Sequence, residues 1–197
     1  AWGYHGGQSE IVMGHALKKY PRDKFYLATK FPGYDLSNFG KVEEIFEKQL
    51  EKCQVGYFDF YLFHNVCEMN IDAYLDEEKY GPYDYLIRQK KNGRIRHLGF
   101  SAHGNYEVIR RFLEAYGKDM EFCQLQINYL DWTFQDAKAK VELLREYNIP
   151  VWVMEPLRGG KLASLSGEDT QTLKELRPDE EVPAWAFRFL QSLPEVK

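Results

Sequence analysis

The sequence predicts an α/β fold built on a parallel sheet, and three observations carry that prediction. Short apolar runs alternate with amphipathic stretches along the chain, the pattern of strands joined through helices that cover the sheet. No Gly-x-Gly-x-x-Gly follows any of the apolar runs. The dinucleotide fingerprint of the doubly wound open sheet is therefore missing. Almost every run ends in a residue capable of chemistry: Lys30, His64, Ser101 with His103, Gln124 with Asn128, and Glu155. A single polar strand end says little, because solvent begins there. Five together favour a (β/α)8 barrel, whose site gathers at the C-terminal ends of its strands.

The elements follow in order. Ser9 is expected to cap a first helix. Phe25 to Lys30 reads as a strand. Lys41 to Cys53 places Val42, Ile45, Phe46, Leu50 and Cys53 on one helical face. Phe58 to His64 is the second strand, and a less regular helical stretch runs on to about Asn92, closed by Gly93. His97 to Ser101 leads to a helix striped with Val108, Ile109, Phe112 and Leu113. Phe122 to Asn128 leads to another around Val141, Leu144 and Tyr147. Val151 to Glu155 precedes a loop and a charged stretch, and a last helix runs from Pro183 to Leu193, with proline suited to an early helical position.

Composition bounds the function. The chain has 197 residues, 44% hydrophobic and 28% charged, which is globular rather than disordered. A net charge of −4 argues against a nucleic-acid surface. No apolar run approaches the roughly 20 residues that span a bilayer, and no signal-peptide pattern opens the chain. Cys53, Cys67 and Cys123 are odd in number and widely spaced. They suit a reducing cytoplasm and read as small apolar residues rather than metal ligands.

Reducing a carbonyl requires a hydride donor held close to carbon, a proton donor facing oxygen, and stabilisation of the developing negative charge. A phenol is a weak acid near neutrality, and a neighbouring ammonium favours its phenolate. A Tyr, a Lys and a His from separate strands would make a coherent reductase triad.

Six segments carry a resemblance. They are Ala1-Trp2-Gly3-Tyr4 with Ser9-Glu10 and Gly14 following, Leu27-Ala28-Thr29-Lys30, Asp59 to His64, Gly99-Phe100-Ser101, Gln124-Leu125-Gln126, and Met154 to Gly160. In this order they resemble motifs of the aldo-keto reductase family, over essentially the whole chain. The resemblance implies an NAD(P)H-dependent oxidoreductase on a (β/α)8 TIM barrel, residues 1–197 forming one partial domain. In the family signature an Asp stands two residues before the Ala, so it would precede Ala1. On this reading the first strand or strands and the last strand lie outside the chain. The isolated chain is then expected to be inactive, with turnover belonging to the complete protein.

The resemblance assigns roles. Tyr4 donates the proton, Lys30 stabilises its phenolate, and His64 orients the carbonyl oxygen. Ser101 and Gln124 hold the nicotinamide carboxamide. Met154 stands where many members stack an aromatic ring on nicotinamide, and Leu157, Arg158 and Gly159 lie where the loop passes the pyrophosphate. Trp2, His103 and Asn128 are expected to line the substrate pocket. Many members have Asn directly after the Ser, whereas this chain has Ala102 and then His103, so His103 serves either cofactor or substrate. The cofactor is NADPH or NADH, the substrate a small carbonyl compound, and neither nucleic acid nor membrane is expected as a partner. The wording resembles a bacterial branch whose members often carry a C-terminal iron–sulfur tail; any such cluster would lie outside this chain, and no metal is assigned within it.

Two other readings compete. A barrel hydrolase or isomerase could ligate a metal through His64, His103 and Glu155, which leaves Tyr4 and Lys30 unexplained. A non-catalytic barrel could bind nicotinamide without turning it over, since fold alone never proves function.

Overall fold

The computed structural model describes residues 2–197, and the chain divides into two compact units, one ending at Cys123 and the other running from Gln124 to Lys197.

The first unit alternates helix and strand. Helix α1 (Ser9–Leu17) is followed by β1 (Ala28–Phe31), α2 (Val42–Cys53), β2 (Phe58–Val66), α3 (Ile71–Leu75), α4 (Pro82–Lys91), β3 (Ile95–Ala102) and α5 (Tyr106–Tyr116). The strands pair in parallel in the order β1-β2-β3, with Lys30 opposite Leu62 and Leu62 opposite Gly99. Parallel strands covered on both faces are apolar nearly throughout. Accordingly Phe58, Tyr61, Leu62, Phe63 and Val66 of β2 are all buried. Phe46 from α2 meets Phe58 and Tyr61 edge-on, and Phe112 from α5 meets Phe63 in the same way. Rings at such angles place positive edge against negative face.

The predicted stripe of Val108, Ile109, Phe112 and Leu113 is buried as expected. The cap of α1 is different. Ser9 is itself helical, and Gln8 occupies the cap position without a capping hydrogen bond from its side chain. At the N-terminal end of β2, buried Asp59 accepts from Arg22 at 2.6 Å, Arg96 at 3.0 Å and the Leu27 N–H at 2.8 Å. This charged knot ties that end of the sheet together and leaves the opposite end for the site.

The second unit carries β4 (Cys123–Gln126), whose first residue closes the preceding unit, then α6 (Asp131–Phe134), α7 (Ala137–Glu146), β5 (Val151–Met154), α8 (Gly167–Leu176) and α9 (Val182–Gln191). Strands β4 and β5 are neighbours, and Val151 makes a parallel bridge with Val196. The charged stretch, to which the sequence assigned no element, contains helix α8. Its start is set locally: Ser166 accepts from the Asp169 N–H at 3.1 Å, and Glu168 and Asp169 occupy the first turn, where acidic groups complement the helix dipole. Among the described residues no helix is long and apolar enough to cross a membrane.

Candidate active site

Tyr4 sits in the turn before α1. His5, Gly6 and Gly7 all adopt left-handed backbone, and the Gly7 and Ser9 N–H groups both donate to the Tyr4 carbonyl. The tyrosine side chain is left 47% exposed. His64 lies near the end of β2, where the register with β3 is broken between Phe63 and Val66. Such an irregularity re-aims side chains. Asn65, the next residue, takes left-handed backbone at φ 62°, and its N–H donates to Ser101 Oγ at 2.9 Å. His64 is only 5% exposed.

The two side chains meet. Tyr4 Oη lies 3.3 Å from His64 Nε2, and the rings stand edge to face at 6.0 Å. His64 Nδ1 is buried and has no hydrogen-bond partner among the described residues. Burial, then the Lys30 charge, then His103 push the imidazole down to about 3. The ring is therefore neutral through the physiological range, with one proton for its two nitrogens. Burial also lowers the Lys30 ammonium below its ordinary value. The causes acting on His64 place the charge of Lys30 within electrostatic reach of the ring.

Lys30 is held from behind by a buried polar chain. Gln49 donates to the Lys30 carbonyl at 2.9 Å and to Glu10 Oε1 at 2.9 Å, Thr29 donates to the same oxygen at 2.7 Å, and Tyr61 donates to Gln49 Oε1 at 2.6 Å. His64 is held likewise, with Tyr74 donating to its carbonyl at 2.7 Å. That approach needs Gly33, since a Cβ there would stand 1.8 Å from Tyr74 Oη. The sequence reading missed Gln49 and Tyr74, and also Tyr34, whose ring meets His64 edge-on at 5.4 Å. Tyr34 falls in an irregular loop, where no periodicity gives a side chain its direction.

The remaining expected residues are placed as follows. Trp2 lies under the Lys52 ammonium, 4.0 Å from ring centre to Nζ. Ser101 is fully buried. His103 is exposed, and its N–H donates to the Val66 carbonyl at 3.0 Å. In the second unit Gln124 and Met154 are half-buried. Asn128 is fully buried; it donates to Asp131 at 2.7 Å and to the Glu155 carbonyl at 3.0 Å, and accepts from the Asp131 N–H at 2.8 Å. Arg158 is held by the buried Asp131 carboxylate at 3.2 Å. Leu157 accepts from the N–H groups of Gly160 and Leu162. The Gly159 N–H donates to the Glu155 carboxylate. Among the described residues no group of three or more His, Cys, Asp or Glu is placed to hold a metal ion.

Residues 1–193 match the family model described as "Aldo/keto reductase family". A curated relative from Glycine max, "Probable aldo-keto reductase 1", is 28% identical over 165 residues, covering 80% of this chain and 44% of its own. The "NADH-specific methylglyoxal reductase" of Escherichia coli is 26% identical over 184 residues, covering 85% of this chain and 54% of its own. The chain thus spans about half the length of the curated relatives it matches. An aldo-keto reductase from Klebsiella pneumoniae, solved in complex with NADPH, superposes with a TM-score of 0.71 at 18% identity, over 98% of this chain and 65% of that one. At that identity the likeness speaks for the fold.

Proposed function

Since this chain belongs to the aldo/keto reductase family, we propose that its site reduces a small carbonyl compound, with Tyr4 giving the proton. The observation that carries this reading is the 3.3 Å contact between Tyr4 Oη and His64 Nε2, beside the Lys30 charge. A nicotinamide dinucleotide, when bound, supplies hydride to the carbonyl carbon. By the family resemblance we carry the cofactor role to Ser101 in the first unit and to Gln124, Met154, Leu157, Arg158 and Gly159 in the second.

The chain's own residues do the rest. His64 is neutral and donates through Nε2–H to the substrate oxygen, which fixes the carbonyl beside the phenol. As the carbon accepts hydride, the oxygen gains negative charge and takes the Tyr4 proton. The Lys30 ammonium stabilises the phenolate that remains, and solvent reprotonates it through the exposed side of Tyr4. Burial of His64 and Lys30 strengthens each of these interactions, because the local dielectric is low.

The test is turnover by the full-length protein, with methylglyoxal as the first carbonyl tried, because that name belongs to a relative. Loss of NADH or NADPH absorbance gives the rate. Tyr4→Phe is expected to lower kcat by about 10²- to 10⁴-fold while leaving cofactor affinity intact. Undiminished turnover in Tyr4→Phe would overturn the reading.

A further inference from the structure

Tyr34 was not singled out by the sequence, yet it meets the His64 ring and stands against Gly3, the residue before Tyr4. We propose that Tyr34 is a positioning residue of the site: its ring fixes the edge of His64, and its hydroxyl holds Gly3, so that the Tyr4 phenol meets Nε2. This inference rests on the carbonyl-reductase reading.

The geometry is specific. The Tyr34 and His64 rings stand at 90° with centroids 5.4 Å apart, and Tyr4 meets the same imidazole at 73° and 6.0 Å. Two aromatic edges thus bracket one ring whose backbone carbonyl is already held by Tyr74. The Tyr34 hydroxyl stands against Gly3. The approach is close enough that a Cβ on Gly3 would lie 2.3 Å from Tyr34 Oη. Tyr4 is therefore anchored on both sides, by Tyr34 through the preceding residue and by the Gly7 and Ser9 N–H groups on its own carbonyl.

Tyr34 can serve as an anchor because its loop is pinned. The Gly33 N–H donates to the Phe31 carbonyl at 2.8 Å, Asn70 donates to the Gly33 carbonyl at 2.8 Å, and Asn38 donates to the Pro32 carbonyl at 2.9 Å. Burial raises the Tyr34 hydroxyl above its ordinary value, which keeps it a neutral phenol. It acts as a wall and tie, not as a second acid.

The experiment measures kcat and KM of the full-length protein with benzaldehyde and propanal. Tyr34→Leu removes ring and tie, and is expected to lower kcat about tenfold and to shift the benzaldehyde-to-propanal preference by about 2- to 10-fold, the range an edge-to-face contact carries. Tyr34→Phe keeps the ring and should recover the preference but only part of kcat. Gly3→Ala should impair kcat through the clash, and the double variant Gly3→Ala/Tyr34→Phe should be more active than Gly3→Ala, because the colliding oxygen is gone. A merely structural residue would not give that reversal. If Tyr34→Leu fails to fold, the Gly3 pair still decides. Unchanged constants in Tyr34→Leu, or a double variant no better than Gly3→Ala, overturn the inference while an inactive Tyr4→Phe keeps the reductase reading. Full turnover in Tyr4→Phe, or none by the unmodified protein, removes both.

Discussion

His64 couples the site to pH. Its folded-state value is about 3, against an ordinary 6.5. Between those values the unfolded chain binds a proton that the folded chain refuses, so stability rises with pH across that window. The contribution is complete above about pH 6.5 and is lost as pH falls toward 3, with a slope approaching ~1.4 kcal/mol per unit for one group. Urea midpoints at pH 7 and pH 5 should therefore differ, with the lower midpoint at pH 5. The gap should narrow in His64→Gln; a gap of equal size in that variant would mean that other groups carry it. In the same way, no acid limb near 6.5 from this histidine is expected in the rate profile.

At the scale of elements, the site depends on what lies behind each strand end. Gln49 on α2 joins Glu10 of α1, the Lys30 carbonyl of β1 and Tyr61 of β2 in one buried chain. Gln49→Leu strands the Tyr61 hydroxyl and takes a donor from the Lys30 carbonyl. Each buried polar group left without its partner costs about 1–3 kcal/mol, so a thermal melt should show a clear loss of stability, with kcat falling as well. No change in melting temperature would mean the chain is dispensable. Helix α8 offers a contrast, because its start rests on an exposed cap. Ser166→Ala should cost about 1 kcal/mol, seen as faster amide exchange in the first turn of α8 and little change elsewhere.

For the molecule as a whole, the first unit keeps its fold-holding charges and its chemistry at opposite ends of the strands. Asp59, Arg22 and Arg96 hold the N-terminal end of β2, and Lys30 and His64 stand toward the C-terminal ends of β1 and β2. Between them lies the aromatic core. Phe46→Ala should destabilise by about 3–5 kcal/mol, a large share of the 5–15 kcal/mol typical of a folded domain. A denaturant midpoint within error of the unmodified protein would show that the cluster contributes little. The alternation of strands and helices, and the stripe of Val108, Ile109, Phe112 and Leu113, were determined by the sequence alone, because period and burial are local consequences of backbone geometry. So was the place of Lys30 and His64 at strand ends. The tertiary structure decided that Tyr34 brackets His64, that Gln49 supports Lys30, and that Arg158 is held by Asp131. The first two join residues on different elements, and Arg158 reaches back across a strand and two helices. No repeat along the chain encodes such pairings, which exist only once packing brings the partners together.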